Sequence, residues 1–216
     1  MDKFDWDIPD NCPIHIPEGC VGSYSRNIYL KDNLRKTIYG DKSLDTHYWV
    51  INDWGGIKSF KKNEKNNNRI KNFLVELDKN VLTRDSFGCI SSLSKVASFI
   101  NSDSYAIYDS RVIYSLNWLI FNYTNQIELF PQPIGRGSDL AKYEMQTIFR
   151  LTKRQYSYKS YKVSFHQYCE LLKKLTVELF GQHGKLYNVE MLLFMIAPTK
   201  IVNQIESSVS LTINIQ

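Results

Sequence analysis

Residues 86–112 read Ser86-Phe87-Gly88-Cys89-Ile90-Ser91-Ser92-Leu93-Ser94-Lys95-Val96-Ala97-Ser98-Phe99-Ile100, then Asn101 to Tyr108, then Asp109-Ser110-Arg111-Val112. Ile90, Leu93, Val96, Ala97 and Ile100 recur at helical spacing and predict a helix over 90–101 with one apolar face. At about 100° per residue, Lys95 then projects from nearly the opposite side, away from that face. Asn101 to Tyr108 reads as a short loop. Asp109 is a residue type that opens helices, because its carboxylate accepts the first free amides. Val112, Ile113, Leu116, Leu119, Ile120 and Tyr123 supply the buried stripe of a second helix over 110–124. Taken singly, an outward lysine is surface decoration and an N-cap aspartate is worth about 1 kcal/mol of helix stability. Together they place an amine on one helix and a carboxylate at the mouth of the next.

The helical period extends outward from this segment. Helices are expected near 27–39, 66–79, 138–150, 164–180 and 187–196. In 164–180 the residues Phe165, Tyr168, Cys169, Leu172, Leu175, Val177 and Leu179 form a broad apolar stripe, and Leu186 to Ile196 is almost wholly apolar, as a buried core helix would be. Glycine and proline cluster at Pro9 to Gly22, Gly55-Gly56, Pro131 to Gly137 and Gly181 to Gly184, which punctuate the chain. The only strand signals are residues 48–51 and the tail Val209 to Ile215. The fold expected is mainly α, a single domain over 1–216 with few or no strands and an irregular acidic segment over 1–25.

Composition removes several classes. The chain has 216 residues, enough for a sizeable core, and its 43% hydrophobic and 23% charged residues are those of a soluble protein. No stretch reaches the roughly 18 apolar residues of a membrane span. The acidic start, Met1 to Asp7, has no apolar core segment and does not resemble a signal peptide, so a cytoplasmic protein with reduced Cys12, Cys20, Cys89 and Cys169 is expected. The net charge of +5 is unevenly placed. Residues 1–20 carry five acids against Lys3. Residues 58–71 carry six cations against Glu64, and residues 150–162 carry Arg150, Lys153, Arg154, Lys159 and Lys162 with no acid. Tyr156, Tyr158 and Tyr161 alternate with the last block, a pattern that suits a phosphate backbone and a stacked base, or equally a solvated helix end.

Ser94-Lys95-Val96-Ala97 followed by Asp109-Ser110-Arg111-Val112 resembles the helix-hairpin-helix DNA glycosylases, in particular the branch with the 8-oxoguanine glycosylase fold. The resemblance covers roughly residues 83–124, the hairpin-like catalytic segment. It implies an α-helical enzyme acting as a monomer on double-stranded DNA that holds a damaged or modified base, with no cofactor and no metal. The function it implies is cleavage of the N-glycosidic bond to leave an abasic site, in repair of oxidised purines or in antiviral defence against modified phage DNA. The alternative is a non-catalytic helical DNA-binding or interaction module on the same scaffold. The chain departs from the family in two ways: Ser91, Ser92 and Ser94 stand where a Gly-x-Gly turn is usual, and Asp109 follows Lys95 by only 14 positions. Lyase activity is therefore left open.

On this resemblance Asp109 stabilises the cationic sugar or activates the attacking nucleophile, and Lys95 is the candidate nucleophile, its amine made reactive by burial beside other cations. Ser91, Ser92, Ser94, Arg111, Lys153, Arg154, Lys159 and Lys162 are the expected DNA-binding residues. Trp118, Tyr105, Tyr108 and Phe149 are candidate faces for a base flipped out of the stack, each also explained by core packing. Trp49 and Trp54 are further candidates for a pocket wall. Gly135-Arg136-Gly137 reads as loop punctuation rather than a phosphate turn. Cys12, His15 and Cys20 lack the paired spacing of a zinc site.

Overall fold

The structure, a computed structural model, describes residues 3–125, 127–134 and 138–210. After an irregular N-terminal segment come α1 (Ser23–Asn33), α2 (Arg35–Gly40) and α3 (Asp45–Tyr48), the last running into a π-helical segment over Trp49–Trp54. Then follow α4 (Glu64–Asp78), α5 (Arg84–Gly88), α6 (Ile90–Ile100) and α7 (Ser110–Tyr123). Strand β1 (Glu128–Leu129), α8 (Ser138–Ala141), α9 (Met145–Leu151) and β2 (Ser157–Tyr158) precede the long α10 (Tyr161–Phe180) and α11 (Leu186–Ile196). A second π-helical segment, Ala197–Ile201, leads into α12 (Val202–Ser208).

The mainly helical class matches the expectation, and several elements differ in detail. The helix expected over 27–39 starts earlier and is divided at Leu34; that over 138–150 is broken between Ala141 and Met145. Residues 48–51 are helical rather than extended, because their aromatic and β-branched side chains are buried on all sides of a tight turn instead of alternating. The strand found lies elsewhere: β1 and β2 pair in parallel, Glu128 with Ser157 and Leu129 with Tyr158. In the expected tail strand, Val209 and Ser210 are not extended into a ladder, and residues 211–216 lie outside the described residues, as does the Gly135-Arg136-Gly137 turn. The stripe of α10 is buried from Phe165 to Leu172, whereas Val177 and Leu179 are exposed, as is Tyr123 at the end of α7. No helix among the described residues is long and apolar enough to cross a membrane.

Two apolar clusters carry the packing. The larger one surrounds α6 with residues of α1, α2, α4, α10 and α11. The smaller is built from Tyr114, Trp118 and Phe121 of α7 together with Phe149, Ile201 and Ile205. Helix α7 joins them, with Leu119 and Ile120 packed against both. Helix α6 is buried all round, from Ser92 to Ile100. Its second face carries Ser91, Ser94 and Ser98, small side chains of which Ser94 and Ser98 are buried and bond within the protein. The Ser98 hydroxyl donates to the Lys95 carbonyl at 2.8 Å, and the Ser94 hydroxyl accepts from Tyr108 N at 2.9 Å.

Candidate functional site

Lys95 does not project into solvent as its helical angle alone predicts. It is 6% exposed, because the end of the π-helical segment closes over it. Gly55 is the closing residue: a Cβ built there would sit 2.5 Å from Lys95 Cδ and 2.7 Å from the Ile51 carbonyl oxygen. The lysine stem therefore lies directly on glycine backbone, and its Nζ donates to the Ser91 carbonyl at 3.1 Å. Burial pushes the Lys95 amine below the ordinary lysine range; Asp109 and Glu190 oppose this and the Lys31 cation adds to it.

Asp109 is placed by two local devices. Its backbone is extended (φ −112°, ψ 172°) and its Oδ1 accepts from Val112 N at 2.9 Å, so it caps α7 as the sequence implies. Oδ2 has no hydrogen-bond partner among the described residues. One residue upstream, the bond from Tyr108 N to Ser94 pins the entry of α7 to α6 one position before Lys95. The amine and the carboxylate thus line the same two cavities.

The smaller cavity, about 30 Å³, lies between Phe4, Trp6, Trp54 and Phe194 and is also lined by Glu190. Glu190 is buried; its Oε2 accepts from Ile107 N at 2.7 Å and its Oε1 lies 3.6 Å from Lys31 Nζ. Lys31 is itself buried, 5.1 Å from the Phe99 ring centroid and 5.6 Å from that of Trp54. Sequence reasoning missed both partners of this buried ion pair. Glu190 had a signal, as the lone acid in the apolar run Leu186 to Ile196; Lys31 had none.

The larger cavity is an open cleft of about 890 Å³. Lys58, Arg69, Arg84 and Lys95 line it against Asp109, the single carboxylate among the described lining residues, with Phe87 and Tyr161 among its rings. Lys58 is paired with Asp53 and Arg69 with Asp85, each at 2.6 Å, while Arg84 is exposed. The first basic block therefore reaches the cleft. Of the second block, Arg154 donates to the Phe121 and Thr124 carbonyls at the end of α7, and Lys159 pairs with Glu128. These two cations, expected to meet DNA, are committed to the chain's own groups; Lys153 and Lys162 are exposed.

Other expected site residues are placed differently from the reading of the sequence. Ser91, Ser92 and Ser94 lie inside α6, separated from α5 by Cys89 alone, so no open hairpin of free amides precedes Lys95. Ser92 and Ser94 are buried, and Ser94 holds Tyr108 rather than facing outward. Arg111 stacks over Phe194 at 4.8 Å. Tyr108 is fully buried and donates to the Pro131 carbonyl at 2.8 Å, and Tyr105 stacks on Phe165 at 5.9 Å. Trp118 is buried in the smaller cluster, donating to Gln204 Oε1 at 3.0 Å and stacking on Phe149 at 6.4 Å. Core packing explains Tyr108, Tyr105 and Trp118 as they stand. Trp54 donates to Asn27 Oδ1 at 2.9 Å, Trp49 to Asn11 Oδ1 at 2.9 Å. Among the described residues no group of three or more His, Cys, Asp or Glu is placed to hold a metal ion. No protein-family model, curated protein sequence or solved structure matches this chain, so a functional reading rests on the cleft and the charges at its head.

Proposed function

We propose that the protein is a DNA glycosylase that removes a modified or damaged base, with Lys95 and Asp109 at the reacting centre. The observation that carries this reading is a desolvated lysine and a helix-capping carboxylate that line one open cleft together with ion-paired Lys58 and Arg69 and exposed Arg84. Such a cleft concentrates a polyanion, since cationic walls replace condensed counterions along a phosphate backbone. A nucleotide extruded into it brings its sugar toward the two groups. The C1′–N bond then breaks with its electron pair leaving on the base, which takes up a proton. Asp109 opposes the positive charge that builds on the sugar. The empty position at C1′ is filled by the lone pair of the Lys95 amine, or by water that gives up a proton to Asp109. In the first case the amine nitrogen gives a proton to Asp109, and the bond from C1′ to the ring oxygen then breaks with the oxygen taking up a proton, which leaves a protonated Schiff base; in the second case an abasic site remains.

Mass spectrometry of bases freed from undamaged, oxidised and phage-modified duplexes is the direct test. Release of one base by the native protein, abolished by Asp109→Asn with DNA affinity retained, is the expected result. Borohydride treatment during the reaction distinguishes the nucleophiles: a covalent complex lost in Lys95→Ala assigns the attack to the lysine. If no duplex ever yields a free base while DNA still binds, the protein is a non-catalytic DNA-binding module and the proposal fails.

A further inference from the structure

Among the described residues three Lys, Arg, Asp or Glu side chains are buried, Lys31, Lys95 and Glu190, and all three lie at one place in the core. They come from three different helices, α1, α6 and α11. Lys31 Nζ lies 3.6 Å from Glu190 Oε1 and donates to the Ser98 hydroxyl at 3.4 Å, and that hydroxyl donates in turn to the Lys95 carbonyl. Glu190, Lys95 and Asp109 line the same cavity of about 30 Å³, room for one water. Replacing a buried ion pair by apolar groups of like volume is often neutral or stabilising, so packing alone gives no reason for this pair.

We propose that Glu190 is a positioning residue of the Lys95 site, held by Lys31 and the Ile107 amide so that its carboxylate faces Lys95 across the small cavity and sets whether that lysine carries a proton. The proposal rests on the base-excision reading above for the use made of Lys95, since an amine attacks only after it has lost a proton. Burial pushes the Lys95 amine down; Asp109 and then Glu190 draw it up, and Lys31 adds a smaller push down. The ion pair therefore acts on Lys95 with its acidic end foremost. Burial raises the Glu190 carboxyl, and Lys31 and the Ile107 amide oppose that rise. The other groups around Lys95 leave this balance to the pair. On the cleft side Lys58 and Arg69 are each neutralised by an aspartate, Arg84 is exposed, and burial raises the Cys89 thiol. Beside Glu190, burial pushes the Tyr168 phenol well above its ordinary value and the Cys169 thiol up to about 12, so neither ionises where the lysine titrates.

NMR of the free protein carrying isotope-labelled lysine tests this without DNA. The Lys95 Cε resonance, assigned by its loss in Lys95→Met, is followed as the amine loses its proton. Glu190→Gln keeps an acceptor for Ile107 N and should move the midpoint down by about one pH unit or more. Lys31→Met leaves Lys95 as the cation facing Glu190 and should move it up. Midpoints equal to the native one in both variants, or displaced in the same direction, overturn the proposal. Where a single variant does not fold, Lys31→Met combined with Glu190→Gln leaves neither charge of the pair unpaired. Its midpoint should lie below the native one, and a midpoint at or above the native one overturns the proposal. The two readings fail separately. Midpoints that move as expected while no duplex yields a base sink only the glycosylase reading, whereas base release with unmoved midpoints sinks only the role of Glu190.

Discussion

Lys95 and Gly55 show how one residue's chemistry depends on the absence of a side chain on another. Gly55 has an ordinary backbone (φ −82°, ψ −9°), so glycine is required there for space, not for conformation. A methyl group would displace the Lys95 stem or push on the Ile51 carbonyl, both closer than 3 Å to the added carbon. Gly55→Ala should therefore slow borohydride trapping on the order of 10- to 100-fold, the cost of a roughly 1 Å misplacement, while DNA affinity changes little. A trapping rate equal to that of the native protein would mean that the stem is not held by this contact. Burial also sets the lysine's reactivity. Because desolvation lowers the Lys95 amine, its neutral fraction is higher at any given pH than that of a surface lysine. Reductive methylation with a small aldehyde, followed by peptide mapping across pH 7 to 10, should modify Lys95 in the folded protein at lower pH than the same residue in the urea-unfolded chain. In the sequence, the residue type and its place opposite the apolar stripe were legible. Its burial was not, because an angle on a helical wheel says nothing about what covers that side.

At the scale of elements, α6 and α7 are coupled through Ser94 and Asp109. Ser94→Ala removes the acceptor of the Tyr108 amide in a fully buried setting, which should cost about 1–3 kcal/mol in urea denaturation. On the proposed reading Asp109 has two separable roles. Asparagine caps a helix as well as aspartate does, so Asp109→Asn should leave stability nearly unchanged, while Asp109→Ala should lose about 1 kcal/mol. Base release should vanish in both. If Asp109→Asn keeps full activity, the residue is a cap and nothing more. The N-cap was readable because capping is local, spanning Asp109 to Val112. The internal use of Ser91, Ser94 and Ser98 was not. A serine stripe at helical spacing reads alike as a solvated face, a phosphate-binding turn or a close-packing surface.

For the whole molecule, two measurements report on charge. If the cleft of Lys58, Arg69 and Arg84 grips the backbone, Arg84→Gln should lower the salt slope of DNA binding by about 1. Arg154→Gln should leave that slope unchanged and instead loosen the end of α7, since its guanidinium serves the Phe121 and Thr124 carbonyls. An equal effect of the two substitutions on the slope would return the second basic block to the interface. Acid stability is the other measurement. Burial holds His47 and His166 below 6.5, and His47 Nδ1 has no partner among the described residues. Between the folded and unfolded values the unfolded chain binds more protons, so stability falls as pH drops below about 6.5. His47→Gln should flatten part of this loss in thermal melts between pH 7 and about 5.

By itself the sequence determined what is local and periodic: the helical class, most helix cores, the cap at Asp109, and the presence of an amine and a carboxylate near one another along the chain. Hydrogen bonds within a turn and an apolar stripe are written in neighbouring residues, so their period reveals them. Tertiary structure alone decided that Lys95 is buried, that Lys31 and Glu190, 159 positions apart, form an ion pair beside it, and that the first basic block rather than the second lines the cleft. Those outcomes depend on which backbone closes over which face. Gly55 covering α6 and Arg154 capping α7 are contacts between distant segments, and no local pattern encodes a distant partner.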